Sequence, residues 1–407
     1  MSRFDGLTLW VLILCAAPAM AGPLTDGQRR QGMTATAGPR PAADAGIATE
    51  VLCFSAPRRE AHEFATVVMR DETCMVRHEG TEKVLFESAE PSRAIQWALN
   101  HSRIVLLKSG TFTVSGSVRI PRPGVSLIIA KGATLQPAEK AKLDIVSEGH
   151  GDYPALIHNR GMDHVAVIHL GTLRGCGRGC ASIMFNGRRG GKLGIDGGLV
   201  FSAGAMPKSG DAIWLVDSRN LQVPFAADQH YDNNLMAIEG CEDLQIGVVA
   251  GLAGSNPGEN ETIDLNSYSR RIHVRRMIGA SYSEQILDVN NSTDITVDRI
   301  TGYTGGKFKG HLVDIINYPP TGRRLTQRPR IAKCKNVQIR QKGVADEKIG
   351  DWKIAAEVEG DMLKTLPKMR ITVRLIGNPD KEKTTVFEGT YQLDLKAMPQ
   401  KCRSLNH

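Results

Sequence analysis

The chain has 407 residues, a formal charge of +8, 42 glycines and only 5% aromatic residues. Scattered Val/Ile pairs among many glycines argue against a helical bundle and for short strands and turns. The basic balance suits an acidic partner such as an anionic polysaccharide, a cell-surface polymer or nucleic acid. Nucleic acid is set aside because the basic residues are not interleaved with aromatics. Residues 187–192 lack phosphate-loop spacing, and no Gly-x-Ser-x-Gly elbow is present.

In chain order, residues 1–21 read as a signal peptide. Arg3 supplies the basic end, residues 7–17 an apolar stretch too short to span a bilayer, and Ala19-Met20-Ala21 a small-residue cleavage site. Export to the periplasm or the medium is expected, and no later segment is long enough for a membrane span. Residues 22–48, rich in Ala, Gly, Pro and Thr, read as a flexible leader, and residues 49–90 as an N-terminal cap region holding short apolar groups such as Val67-Val68-Met69. A helix is predicted over 91–100, with Pro91 in its first turn and Ala94, Ile95, Trp97, Ala98 and Leu99 supplying an apolar face. Short strands follow at Ile104-Val105-Leu106-Leu107, Phe112-Thr113-Val114, Val118-Arg119-Ile120 and Val125-Ser126-Leu127-Ile128, divided by Gly- and Pro-containing turns.

From residue 155 the pattern repeats. A polar turn leads each time into an apolar–x–apolar strand, as in Leu221-Gln222-Val223, Leu244-Gln245-Ile246, Ile272-His273-Val274 and Ile295-Thr296-Val297. From Val165-Ala166-Val167 to Val337-Gln338-Ile339 the strand ends are 28, 28, 23, 28, 23 and 42 residues apart. Strand-built repeats of this length predict an all-β solenoid of stacked coils over residues 91–342.

Residues 91–136 resemble the start of the pectate-lyase-like right-handed parallel β-helix superfamily. The likeness rests on the amphipathic helix, on Ile104-Val105-Leu106-Leu107-Lys108-Ser109-Gly110-Thr111-Phe112, and on the runs Gly124-Val125-Ser126-Leu127-Ile128 and Gly132-Ala133-Thr134-Leu135. It implies a right-handed parallel β-helix whose open end is capped by the helix. The superfamily includes lyases, hydrolases, epimerases, esterases and non-enzymatic surface proteins. The paired-Asp, Gly-His-Gly and Arg-Ile-Lys pattern of polygalacturonases and the Trp-Ile-Asp-His signature of pectate lyases are absent, so the resemblance implies a fold and no single activity.

Residues 343–407 lose the coil rhythm and read as a small β-rich extension that packs on the last coil and blunts its edge. In an exported chain, spacing suggests disulfides Cys53–Cys74, Cys176–Cys180 and Cys334–Cys402, with Cys241 left over.

The candidate chemistry lies in three repeated segments, Ile263-Asp264-Leu265-Asn266, Leu287-Asp288-Val289-Asn290 and Val313-Asp314-Ile315-Ile316. Branched apolar residues flank each acid, so the acids point outward while their neighbours fill the core. Stacked on successive coils, Asp264, Asp288 and Asp314 cannot all stay charged without a proton, a cation or a basic neighbour. Two schemes follow: acid–base or nucleophilic cleavage of a glycoside, with His311 as a further catalytic candidate, or β-elimination assisted by calcium on Asp264 and Asp288. The cofactor expectation is therefore none or Ca²⁺. Substrate contacts are assigned to Glu261, Arg271, His273, Lys309 and a stacking Trp214, while Asn266 and Asn290 are expected to form an inward asparagine ladder. The reading is an exported enzyme, lyase or hydrolase, acting on a glycan that contains acidic sugars. The alternative is a non-catalytic surface or envelope β-helix that binds glycan or serves as scaffold.

Overall fold

The computed structural model describes residues 48–53, 62–78, 81, 83–147, 153–189, 192–229, 231–252, 261–266, 268–281, 284–305, 309–317, 334–344, 353–359, 368–377 and 384–394. The expected signal peptide, nearly all of the leader, and Cys402 lie outside these residues.

The chain is an all-β parallel solenoid of about seven turns. Each coil contributes one short strand to a nine-stranded sheet and one long strand to a thirteen-stranded sheet. A typical coil runs from the short strand Ile263–Asn266 round a corner into the long strand Arg270–Ser281, and then into the next short strand, Leu287–Asn290. Most of the apolar–x–apolar triplets are the inward parts of these elements; the expected repeat at Leu193-Gly194-Ile195 is off register, because Val165 pairs with Gly198 and Gly198 with Leu221, while Leu193 belongs to a two-stranded hairpin. Ile263, Leu265, Ile272 and Val274 are all buried in one core cluster between the two sheets, at roughly 1.5–3 kcal/mol for each side chain so buried.

The predicted helix forms as Pro91–His101. Proline suits its first turn, and Ala94, Ile95, Ala98 and Leu99 bury one face against the start of the core. Trp97 stacks on Phe86 and on His101. The helix stops where Ser102 turns extended and opens the first long strand, Ser102–Gly116. Within the expected cap region, His62–Arg70 adds to that strand in parallel and is continued by the antiparallel strands Thr73–His78 and Val84–Ser88. The last long strand runs to Val344, slightly beyond the expected end of the coil.

A column of left-handed backbone marks the corner after each short strand. Gly124, His164, Gly197, Asn220, Asp243, Arg271, Asp294 and Asn336 all have positive φ and fall at successive register positions. Glycine, asparagine and aspartate adopt this conformation at least cost.

The C-terminal extension sits elsewhere than expected. Lys353–Glu359, Lys368–Gly377 and Thr384–Asp394 form a sheet joined by Ala48–Cys53, which pairs in parallel with Thr384–Asp394. So the first residues of the expected cap region belong to this sheet. It packs on the flank of the solenoid rather than on its last coil. Met369, Ile371, Val373, Leu375, Phe387 and Tyr391 cover an apolar stripe on the outer face of the long strands that includes Ile168, Phe201, Phe225 and Val248. That stripe needs a cover, whereas the triplet pattern reveals only the inward residues.

The Cys176–Cys180 disulfide is present, with Cα atoms 5.8 Å apart. The other two expected pairs are not. Cys74 is a free thiol facing the core, pushed up to about 12 by burial, so it is not joined to Cys53. Cys334 is also free and donates to the carbonyls of Val289 and Ile316 at 3.4 and 3.5 Å, so it does not bridge to Cys402.

Candidate active site

The outward positions of the short-strand sheet form one vertical column. At its first end stand Arg119 and His158, in the middle Met184, Trp214 and Ala237, and at its far end Asp264, Asp288 and Asp314. The structure therefore brings the three predicted aspartates together: Asp264 is the direct register partner of Asp288, and Asp288 of Asp314. Neighbouring strands lie about 4.8 Å apart.

Two residues further along each strand, Asn266 and Asn290 face the same way as the acids. They form a ladder, Asn290 Nδ2 donating to Asn266 Oδ1 at 2.8 Å. It is an outward ladder, not the expected inward one. A strand period of two places i and i+2 on one face, so each amide bonds its own acid: Asn266 donates to Asp264, and Asn290 to Asp288 at 3.1 Å. Asp314 accepts from Gln285 at 3.3 Å and from the Ile315 N–H at 2.8 Å. Among the described residues the partners of the three acids are thus amides, not cations. One oxygen each of Asp264 and Asp288 is buried and has no hydrogen-bond donor.

Burial raises the Asp264 carboxyl well above the usual carboxylate range, and Glu261, Asp288, Glu239 and Asp211 push it further the same way. Asp288, 9% exposed, is raised to about 6. Burial is the main cause, aided by Asp314 and Glu284 and opposed by the Asn290 amide and the Val289 N–H. Both carboxyls therefore hold their protons above the ordinary carboxylate range, Asp264 chiefly through its burial and its acidic neighbours. Two carboxyls of raised proton affinity thus stand one strand apart, an arrangement from which acid–base pairs are built.

The other predicted site residues are dispersed. Glu261 is buried beside Asp264 and contributes to its shift. His311 and Lys309 are exposed just ahead of the strand that carries Asp314. Arg271 does not serve this wall: it occupies the left-handed corner column, held by both oxygens of Asp243 at 2.6 and 2.8 Å and by Glu242 at 3.1 Å. His273 alternates with the inward Ile272 and Val274 as expected, but it lies on the long-strand sheet, bonded to Asp298 at 2.8 Å. Trp214 is 3% exposed. It packs with Met184, Val216 and Ala237 beneath Val146 and against Tyr153, whose ring meets it edge-on at 4.7 Å. No face of it is open to a sugar.

One cluster escaped the sequence reading. At the first end of the column Asp144 accepts two hydrogen bonds from Arg119 and a 2.7 Å bond from His158 Nε2. Burial lowers His158, which outweighs the opposite pull of Asp144. Burial would raise Asp144, but Arg119 and His158 bring it down overall. The outward position of Arg119 in Val118-Arg119-Ile120 was legible; its meeting with Asp144 was not, because the short strand Asp144–Ser147 folds back antiparallel over Tyr153–Arg160.

For calcium, the donor set is thin. The ion takes about six to eight oxygens, whereas Asp264 and Asp288 offer two unpartnered ones, and among the described residues no group of three or more His, Cys, Asp or Glu is gathered for a metal. Also among the described residues, no helix is long and apolar enough to cross a membrane. Comparison with protein-family models, curated proteins and solved structures finds no match.

Proposed function

We propose that the protein is an exported polysaccharide-active enzyme of the pectate-lyase-like right-handed β-helix type, cleaving glycosidic bonds by hydrolysis at the stacked carboxylates. One observation carries this reading: Asp264 and Asp288 are register partners whose carboxyls both hold protons above the ordinary range, and among the described residues each has a buried oxygen without a hydrogen-bond donor. Asp264 is the proton donor to the leaving oxygen. Asp288 is the nucleophile or base, since adjacent strands approximate the roughly 5–5.5 Å separation of retaining glycosidases. Asp314 lies two strand steps, roughly 9.6 Å, from Asp264, near the upper end of the inverting range. Lys309 and His311, exposed just ahead of the strand that carries Asp314, would orient the chain.

Hydrolysis is preferred to β-elimination on electrostatic grounds. Elimination needs a uronate drawn to the site and a base beside its C–H, yet this wall is acidic and, among the described residues, the partners of its three aspartates are amides. An acidic sugar unit would be repelled there unless a cation lay between.

The test is incubation with neutral and uronate-containing polysaccharides, read by reducing ends and by absorbance of unsaturated ends. Reducing ends without unsaturation are expected. Asp264→Asn and Asp288→Asn should each lower turnover by about 10²–10⁴-fold. Unsaturated products would replace hydrolysis by lyase chemistry. Glycan binding with no turnover would favour the non-catalytic surface protein, and full activity in both variants would remove the site.

A further inference from the structure

The Arg119–Asp144–His158 cluster lines a cavity of about 830 Å³ between the first turn of the helix and the start of the short-strand sheet. That volume is within the range of small-ligand sites. We propose that this cavity is a second binding site, separate from the acid column, that takes the carboxylate-bearing unit of an anionic saccharide.

Charge is the first argument. Arg93, Arg119, Lys142 and Arg160 line the cavity against only two carboxylates, Glu90 and Asp144. Asp144 is already engaged by Arg119 and His158, so it offers little repulsion to a ligand. Arg93 and Lys142 are exposed, and among the described residues their side chains make no hydrogen bond or ion pair. The helix adds to the field: its N-cap residue Glu90 makes no side-chain cap bond, and the positive end of the helix opens on the same space.

Shape is the second. An inorganic oxyanion would leave most of the cavity empty. Pro121, Met162 and Ile145, the last 51% exposed, give it an apolar side suited to the carbon face of a sugar ring. Ser115 and Gln96 supply neutral hydrogen-bonding groups around it.

Location is the third. His158 and Asp264 are four strand steps apart, roughly 19 Å, and the covered Trp214 patch lies between them. The site therefore holds the substrate's charge where the acid column cannot, and retains a polymer while another stretch reaches the aspartates. The sugar character of the ligand rests on the polysaccharide reading above; the anion preference rests on the cavity alone.

Titration calorimetry with a uronate oligosaccharide, a neutral oligosaccharide of equal length and inorganic phosphate tests it. The uronate should bind, more weakly as salt rises, and the double variant Arg93→Ala/Lys142→Ala should weaken it by about tenfold or more. Both side chains are exposed, so folding is not at stake. Asp288→Asn should leave this binding intact. No uronate binding, equal binding by the double variant, or phosphate binding as tightly as the uronate would each overturn the proposal. Uronate binding with no turnover of any glycan would instead leave the cavity standing and sink the hydrolase reading.

Discussion

Asp264 and Asp288 face each other across one strand step, and among the described residues each buries an oxygen without a hydrogen-bond donor. Such an arrangement costs stability once protons leave. The folded Asp288 holds its proton up to about pH 6 against an ordinary value of 3.8, so the folded state binds more protons than the unfolded one in between. Stability therefore falls as pH rises through that window, by on the order of 3 kcal/mol for a shift of about two units. Asp288→Asn should raise the denaturant midpoint at pH 8, and the gain should vanish near pH 4. Equal midpoints at pH 8 would mean that the carboxyl is not held in a costly environment. A variant that loses turnover while gaining stability would separate a chemical role from a structural one.

How far the wall was readable follows from what each residue's neighbours reveal. A period of two is local information, and it placed Asp264, Asp288 and Asp314 outward; the recurrence of the same apolar–Asp–apolar segment then placed them in register despite unequal repeat lengths. The direction of Asn266 follows from the same period, and the expected corner role had hidden it. What covers a face is not local. Trp214 occupies the same outward column as the acids, yet Val146 and Tyr153, brought back by an antiparallel strand, close it off.

Trp214→Ala should accordingly act on folding rather than on sugar affinity. A fully enclosed indole removed from the Met184–Val146–Tyr153 cluster costs about 3–5 kcal/mol. Glycan affinity, measured under conditions where the variant remains folded, should match the parent protein. Selective loss of binding with unchanged stability would mean that the ring is reached by ligand after all.

Arg271 occupies a corner where six of the eight residues are Gly, Asn or Asp. Its guanidinium joins the exposed Asp243, a pair of the kind that contributes about 0–1 kcal/mol, and the buried Glu242, which Arg270 also holds at 2.6 Å. Arg271→Asn would exchange those contacts for a backbone better suited to positive φ. The variant should stay within about 1 kcal/mol of the parent by chemical denaturation and leave turnover unchanged. A large loss of activity would return Arg271 to the substrate site.

The flank sheet provides the last test. Phe387 stacks on Phe225 at 6.0 Å and lies under the Arg276 guanidinium at 5.6 Å, while Tyr391 meets Phe201 edge-on at 5.1 Å. These rings join the C-terminal sheet to the outer stripe of the long strands, where the core between the two main sheets gives no support. Phe387→Ala should loosen that attachment by about 3 kcal/mol or more without disturbing the coils. Limited proteolysis should then cut within residues 353–394 well before the solenoid, and hydrogen exchange should rise there while the strand Leu287–Asn290 keeps its protection. Unfolding of both regions together would show instead that the sheet and the coils form one cooperative unit, with the aromatic contacts contributing to the stability of the acid column itself.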